Sequence, residues 1–265
     1  MTHAVVSLPV LDVRAAPRHA AELGSQLLMG ETVALLGSLP RAGWVRVRND
    51  ADGYRGWVRT WGLVPATAER ARRWRQLARG VIAVPAAAVR AGRGSGLAVS
   101  PVYFGSRLIA SRPLRGWAEV ELPDGRHGHI EADALAGRQA PSLEERVSSL
   151  LGVQYLWGGR SPAGYDCSGF VQQVLREQGV ALPRDARHQW RASRRLGARA
   201  AGRSGDLAFF RRPGEAPSHV GIALGAGYFA HCRARVLIAS VDADNPLCDN
   251  DLLPQFMGWF RPSRG

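Results

Sequence analysis

The chain has 265 residues, 46% of them hydrophobic and 22% charged, with a formal net charge of +13. This length allows two or three small domains with modest cores, and the composition is that of an ordinary soluble globular protein, with no apolar run near the roughly 18 residues that span a bilayer. All 35 basic residues are Arg, spread along the chain, which reads as a coding bias: no nucleic-acid partner is expected, and a positive field suits an anionic, carboxylate-rich substrate better.

Cysteine use narrows the class further. Cys167, Cys232 and Cys248 are odd in number and widely spaced, so they form no disulfide framework, and without a CxxC pair no structural zinc site is expected. The N-terminus lacks a basic leader, an apolar segment and a small-residue cleavage site, so a cytoplasmic location is expected.

Residues 1–66 carry short apolar or alternating runs, VVSLPVLDVR, TVALLGSL, GWVRVRN and GYRGWVRTWGLV. Gly, Pro, Asn and Asp interrupt them, which predicts several short strands in a small barrel. The Arg-rich stretch within 67–81 predicts a linking helix with Trp74 and Leu77 turned inward. The pattern then recurs. GWVRVRNDADGYRGWV from Gly43 and GWAEVELPDGRHGHI from Gly116 share Gly-Trp, an alternating strand, an Asp-Gly turn and Gly-aromatic-aliphatic. A second barrel is expected over 82–137, with Trp44, Trp57 and Trp117 as core residues.

The texture changes in the last segment, 138–265. Ser142 and Glu145 have the spacing of a capping box. Cys167 to Gly179 carries Phe170, Val171, Val174 and Leu175 at helical spacing, and Gly179 stops that helix. DLAFF, HVGIALG, GYFAHC, RVLIASV and MGWFRP read as strands. The fold class is α+β: two small β-barrels followed by a domain with a helix packed on an antiparallel sheet.

Cys167 follows the turn residues Pro162, Gly164 and Asp166 as its helix begins. Free N–H groups and the helix dipole there favour a thiolate and point at a developing oxyanion. Position alone does not separate such a nucleophile from a structural cysteine. His219 opens HVGIALG from a loop and suits a general base; His231, twelve residues on, could hold its ring in the productive tautomer from an adjacent strand. Each could also be a hydrogen-bonded structural residue. A metal reading of Cys167, His219, His231 and Cys232 has no recognised spacing.

YLWGGRSPAGYDCSGFVQQVLREQGVALPRDARHQ, followed by SGDLAFF, SHVGIALG and AHC, resembles the catalytic domain of the NlpC/P60 peptidases. The barrels resemble bacterial SH3 (SH3b) modules. Together they are similar to the γ-D-glutamyl-L-diamino acid endopeptidases, of dipeptidyl-peptidase VI type. The resemblance is strongest over 153–231, good over 12–65 and weak over 82–137.

What it implies is a cysteine hydrolase that cuts the bond between γ-D-Glu and the diamino acid (meso-diaminopimelate or Lys) of peptidoglycan stem peptides. By the resemblance, Cys167 is the nucleophile, His219 the base and His231 the orienting residue. Tyr155 and Trp157 flank Cys167, with Tyr155 assisting the oxyanion. Glu22 and Tyr54 of the first barrel meet the free N-terminal ammonium of L-Ala, and Asp166, Ser168 and Asp185 line the same subsite. The physics agrees, because a desolvated ammonium is costly unless carboxylates meet it. No metal or organic cofactor is implied, and a monomer is expected.

Some positions depart from the pattern. Ala186 stands where relatives often carry Ser, Arg126-His127 replaces Tyr54-Arg55 in the second barrel, which reads as a spacer, and Cys232 is no motif residue and is expected in the core. The rival readings are a non-catalytic protein that binds muropeptides, and an amidase or acyltransferase with the same Cys-His site.

Overall fold

In the computed structural model, which describes residues 1–94, 96–137, 139–197 and 201–263, with 38–41 by backbone alone, the period-two runs of the first segment become strands. These are β1 (His3–Val6), β2 (Val10–Arg14), β3 (Leu23–Leu28), β4 (Thr32–Arg41), β5 (Trp44–Asn49), β6 (Arg55–Arg59) and β7 (Leu63–Ala66). They form one seven-stranded sheet in the order β3-β2-β6-β5-β4-β1-β7. Alternation sends Val45, Val47 and Val58 into a core with Val6, Leu11, Val13, Leu27 and Val33, and turns Arg46 and Arg48 outward. The same alternation corrects one expectation. Trp44 is buried, but Trp57 shares the outward register of Arg55 and Arg59 and is only half-buried, as is Trp117.

Helix α1 (Ala68–Leu77) starts at Thr67, whose side chain accepts the Arg70 N–H. Ala71 and Trp74 are buried, and the indole Nε1 donates to the Gly30 carbonyl at 3.0 Å. Leu77, expected to turn inward with Trp74, is instead 48% exposed. The buried stripe runs through Ala71, Trp74 and Ala78, and Leu77 falls on its rim.

The repeat forms the second sheet: β8 (Gly80–Val81), β9 (Ala86–Arg90), β10 (Ala98–Tyr103), β11 (Arg107–Ala110), β12 (Trp117–Glu121) and β13 (His127–Glu131). Its order is β10-β9-β13-β12-β11-β8. Neither sheet closes on itself among the described residues, so the expected barrels are open antiparallel sheets. The second core, built on Ile82, Val89, Val102, Leu108, Val120 and Ile130, also holds a residue from the turn between β3 and β4. Met29, between β3 and β4, is fully buried in it, and its carbonyl accepts the Arg107 N–H at 2.9 Å. Gly30 makes this joint possible. Its φ is +83° and a Cβ there would collide with the Arg107 carbonyl. Met1–Ala140 is accordingly one compact unit.

Pro141–Gly265 is the other unit; Arg138, at the expected boundary, lies outside the described residues. Helix α2 (Leu143–Leu150) carries the full capping box, Glu145 N–H to Ser142 Oγ at 3.1 Å and Ser142 N–H to Glu145 Oε2 at 2.8 Å. A short hairpin, β14 (Arg160–Ser161) and β15 (Gly164–Tyr165), leads into α3 (Cys167–Glu177) and then α4 (Ala186–Arg191). The sheet consists of β16 (Ser193–Arg195), β17 (Leu207–Phe210), β18 (His219–Gly225), β19 (Tyr228–Arg233), β20 (Arg235–Ser240) and β21 (Phe256–Pro262), in the order β16-β21-β17-β18-β19-β20. Phe170, Val171 and Val174 of α3 share a core with Val220, Ile222 and Ala230 of the sheet. This is the α+β architecture expected. Among the described residues no helix is long and apolar enough to cross a membrane.

Candidate active site

The start of α3 is fixed by its cap. Asp166 has extended backbone, and its Oδ1 accepts the Gly169 N–H at 2.6 Å, the usual use of Asp at an N-cap. Oδ2 accepts the Gly158 N–H at 3.0 Å. Buried Arg184 donates to both oxygens, at 3.0 and 2.6 Å, and to Ser168 Oγ at 3.0 Å, and Ser168 Oγ donates to Asp166 Oδ1 at 3.2 Å. The Asp166 carboxylate is therefore charge-paired in place, and Ser168 belongs to the same brace. Gly169 lies so close to the Gly159 carbonyl that a Cβ would clash with it. The motif Asp-Cys-Ser-Gly is thus a rigid corner with Cys167 as its first helical residue.

Cys167 is buried, with Sγ 3.9 Å from the Ser218 carbonyl, so the thiol lies beside the residue that precedes His219. Burial first, then the Asp166 carboxylate, pushes the thiol up to about 12, while the backbone N–H groups of Val220 and Ser168 and the Arg184 charge pull the other way. The helix start alone therefore does not leave a resting thiolate.

The histidines are supplied by the β18–β19 ladder. Gly221 is opposite His231, which sets His219 diagonally across on the same face. His219 Nε2 and His231 Nδ1 are 2.8 Å apart, with the rings nearly perpendicular at 85°. Gly221 leaves the space for this. A Cβ there would sit 2.7 Å from Phe229 Cδ2 and 3.2 Å from His231 Cβ. His231 is fully buried and His219 is half-buried. Burial, then His231, brings His219 down to about 3, and burial brings His231 down to about 4 against the opposing pull of Asp249. Both imidazoles are neutral at ordinary pH.

That geometry orders the protons. With Nε2 of His219 engaged by His231, Nδ1 is the nitrogen left to take a thiol proton. Nε2 then carries hydrogen and donates to His231 Nδ1, and His231 in turn must be protonated on Nε2. That Nε2 is buried and has no hydrogen-bond partner among the described residues.

Tyr155 is half-buried near Cys167, and burial, followed by Cys167 and Asp166, holds its phenol above the ordinary value, so it is a neutral donor. Trp157 is 61% exposed. Asp185 is the N-cap residue of α4 but makes no side-chain cap bond; its Oδ2 is 3.4 Å from His188 Nδ1. Ala186 is buried. Cys232 is in the core, Sγ to the Tyr165 carbonyl at 3.2 Å. Among the described residues no group of three His, Cys, Asp or Glu could hold a metal ion.

Glu22 and Tyr54 belong to the first unit. Tyr54 leans over Gly24, where a Cβ would be 2.5 Å from the phenol oxygen, which sets its ring beside the segment carrying exposed Glu22. Cys167, His219 and His231 are gathered within the second unit, and Asp166, Ser168 and Tyr155 with them. Arg184 was missed in the sequence, although it stands next to Asp185 in Pro-Arg-Asp-Ala; a lone Arg among 35 basic residues carries no mark of burial.

Comparison with known proteins gives the family. The NlpC/P60 family profile matches residues 152–247, and the bacterial dipeptidyl-peptidase Sh3 domain matches residues 13–63. The chain is 31% identical over 220 residues to a gamma-D-glutamyl-L-lysine dipeptidyl-peptidase of Bacillus subtilis, covering 78% of this chain and 71% of that protein. It is 42% identical over 103 residues to the murein DD-endopeptidase MepS/murein LD-carboxypeptidase of Escherichia coli, covering 38% of this chain and 54% of that one. A crystal structure of an NlpC/P60 family protein from Bacillus cereus superimposes with a TM-score of 0.83 at 19% identity over all of both chains, a likeness of fold.

Proposed function

This chain belongs to the NlpC/P60 family of peptidases that act on peptidoglycan peptides, and from that premise we propose that it hydrolyses the γ-D-Glu–diamino acid bond of stem peptides with a free N-terminal L-Ala. The observation that carries the reading is the 2.8 Å pair that His219, at the start of β18 beside the Cys167 thiol, makes with His231 of β19. Support for the bond comes from the Bacillus subtilis relative, whose name specifies γ-D-glutamyl-L-lysine.

In this reading Cys167 Sγ attacks the γ-carbonyl carbon and its proton passes to His219 Nδ1. Because the thiol and imidazole both rest neutral, the transfer accompanies attack instead of preceding it. Backbone N–H groups at the start of α3, with the Tyr155 hydroxyl, meet the developing oxyanion. The C–N bond breaks as His219 returns the proton to the leaving amine, leaving a thioester on Cys167. Water then adds to the thioester, giving its proton to His219, and the carboxylate product leaves as the thiol is restored. His231 keeps His219 in the tautomer this requires.

For the ammonium of L-Ala the resemblance offers Glu22 and Tyr54 in the first unit and Asp185 in the second. Asp166 is already paired with Arg184, so its main part is to hold the helix start. A blocked amine would bring no positive charge to these groups and would add bulk there, which is a penalty against the wrong substrate. Cleavage of L-Ala-γ-D-Glu-diaminopimelate by wild type and by Cys167→Ala tests the assignment, and equal rates would sink it. The N-acetylated peptide tests the ammonium site, which unimpaired cleavage would remove.

A further inference from the structure

We propose that Asp249 is a positioning residue that extends the line Cys167–His219–His231, stabilising the positive charge the two imidazoles take up as Cys167 gives up its proton. The proposal rests on the catalytic reading above, but it adds a residue outside the segment 152–247 that matches the family profile.

The need for such a group comes from His231. Its ring is fully buried and its Nε2 has no partner among the described residues, although the tautomer the site requires puts hydrogen there. An unpaired buried donor costs about 1–3 kcal/mol, and the cost rises when the ring becomes charged. A nearby carboxylate is the group that would offset both.

Asp249 is held to supply that charge. Arg233 Nη1 donates to its Oδ1 and Oδ2 at 3.0 and 2.9 Å, and the N–H groups of Asp251 and Leu252 donate to Oδ1 at 3.1 and 3.0 Å. Arg233 is two residues beyond His231 on β19, so the two side chains share one face of the strand. Asp249 raises the basicity of both imidazoles, and Arg233 lowers it. Beside them are Asp251, which pairs with Arg233 Nη2 at 2.9 Å, and, on β20, Leu237 opposite His231 and Arg235 opposite Arg233. Phe229 and Phe210 close the apolar sides of the rings. Asp249 and Arg233 are therefore two halves of one ion pair that act on the histidines with opposite sign.

This opposition gives the test. Asp249→Asn and Arg233→Gln break the same bridge, so a purely structural role predicts the same change from both. An electrostatic role predicts opposite changes. The rate of Cys167 alkylation by iodoacetamide at pH 7, followed by peptide mass spectrometry, reports the thiolate–imidazolium population and needs no substrate. One pKa unit in the imidazoles is tenfold in that population. We expect Asp249→Asn to alkylate about tenfold more slowly than wild type, Arg233→Gln to alkylate faster, and Asp251→Asn to stay within about twofold. kcat/KM on the peptide should follow the same order. Equal slowing in Asp249→Asn and Arg233→Gln, no change in either, or a loss in Asp251→Asn equal to that in Asp249→Asn would overturn the proposal. If wild type fails to cleave the peptide yet the alkylation rates diverge, the substrate reading falls and this one stands.

Discussion

Two hairpins of the first unit, β5–β6 and β12–β13, follow one plan and present opposite surfaces. At their inward positions Val45, Val47 and Val58 correspond to Ala118, Val120 and Ile130, all buried. At the outward positions, Arg46, Arg48, Arg55, Trp57 and Arg59 of the first correspond to Glu119, Glu121, His127, His129 and Glu131 of the second. The cross-strand pairs differ to match, Arg46 with Trp57 and Arg48 with Arg55 against Glu119 with His129 and Glu121 with His127. Like charges directly opposite each other weaken a sheet, so the Arg48–Arg55 pair is not there for stability. The corners diverge as well. Arg126 is tied back to Asp124 and to the Val99 carbonyl, at 2.8 Å each, whereas Tyr54 leans over Gly24 beside the Glu22 segment. Packing fixes the inner face of each copy and leaves the outer face free to diverge.

The strongest way to break this picture is at the joint. Gly30→Val forces a β-branched residue to φ +83° against the Arg107 carbonyl, and should cost more than about 3 kcal/mol. Hydrogen exchange should show both sheets loosening together; loosening of the first alone would mean that the copies are independent. Acid should separate the sheets from the catalytic unit. His231 and His219 sit near 4 and 3 when folded against 6.5 unfolded. The unfolded chain therefore binds more protons across that interval, and stability falls as pH drops below about 6.5. His231 alone should remove up to about 3 kcal/mol by pH 4. Exchange protection should fail first in 141–265, and His231→Gln should flatten that dependence.

A smaller effect sharpens the contrast between the copies. Glu22→Gln should lower kcat/KM on the free-amine peptide by at least about tenfold, the value of a weakened charged contact, and leave the acetylated peptide unchanged. Arg126→Ala should change neither rate. The smallest effect concerns the hairpin surfaces. Reversing Arg46 and Arg48 to Glu, or Glu119 and Glu121 to Arg, should move stability by no more than about 0.5 kcal/mol per site in thermal melts.

Much of this was legible in the sequence because the signals were local. The capping box at Ser142 and Glu145, the helix from Cys167, and the run from His219 are each set by neighbours within a few residues. The repeat was legible because its inward positions alternate. What escaped depended on contacts between distant segments. Nothing near Arg184 announces that it is buried against Asp166, and Asp166 therefore read as a substrate contact. Trp57 and Leu77 read as core by residue type, but register and helix phase placed them at the surface. The 2.8 Å histidine pair needed the ladder between β18 and β19, which the spacing of twelve residues suggested without fixing.

Met29 also decides what can be cut out of this protein. The tandem repeat invites division near residue 66, as if each copy were a bead. Such a cut would carry away the side chain that fills the middle of the second copy, leaving a methionine-sized hole there and a greasy knob on the first. The smallest transplantable piece is the pair with its helix, residues 1–140, and a graft of either copy alone should be sticky and poorly folded.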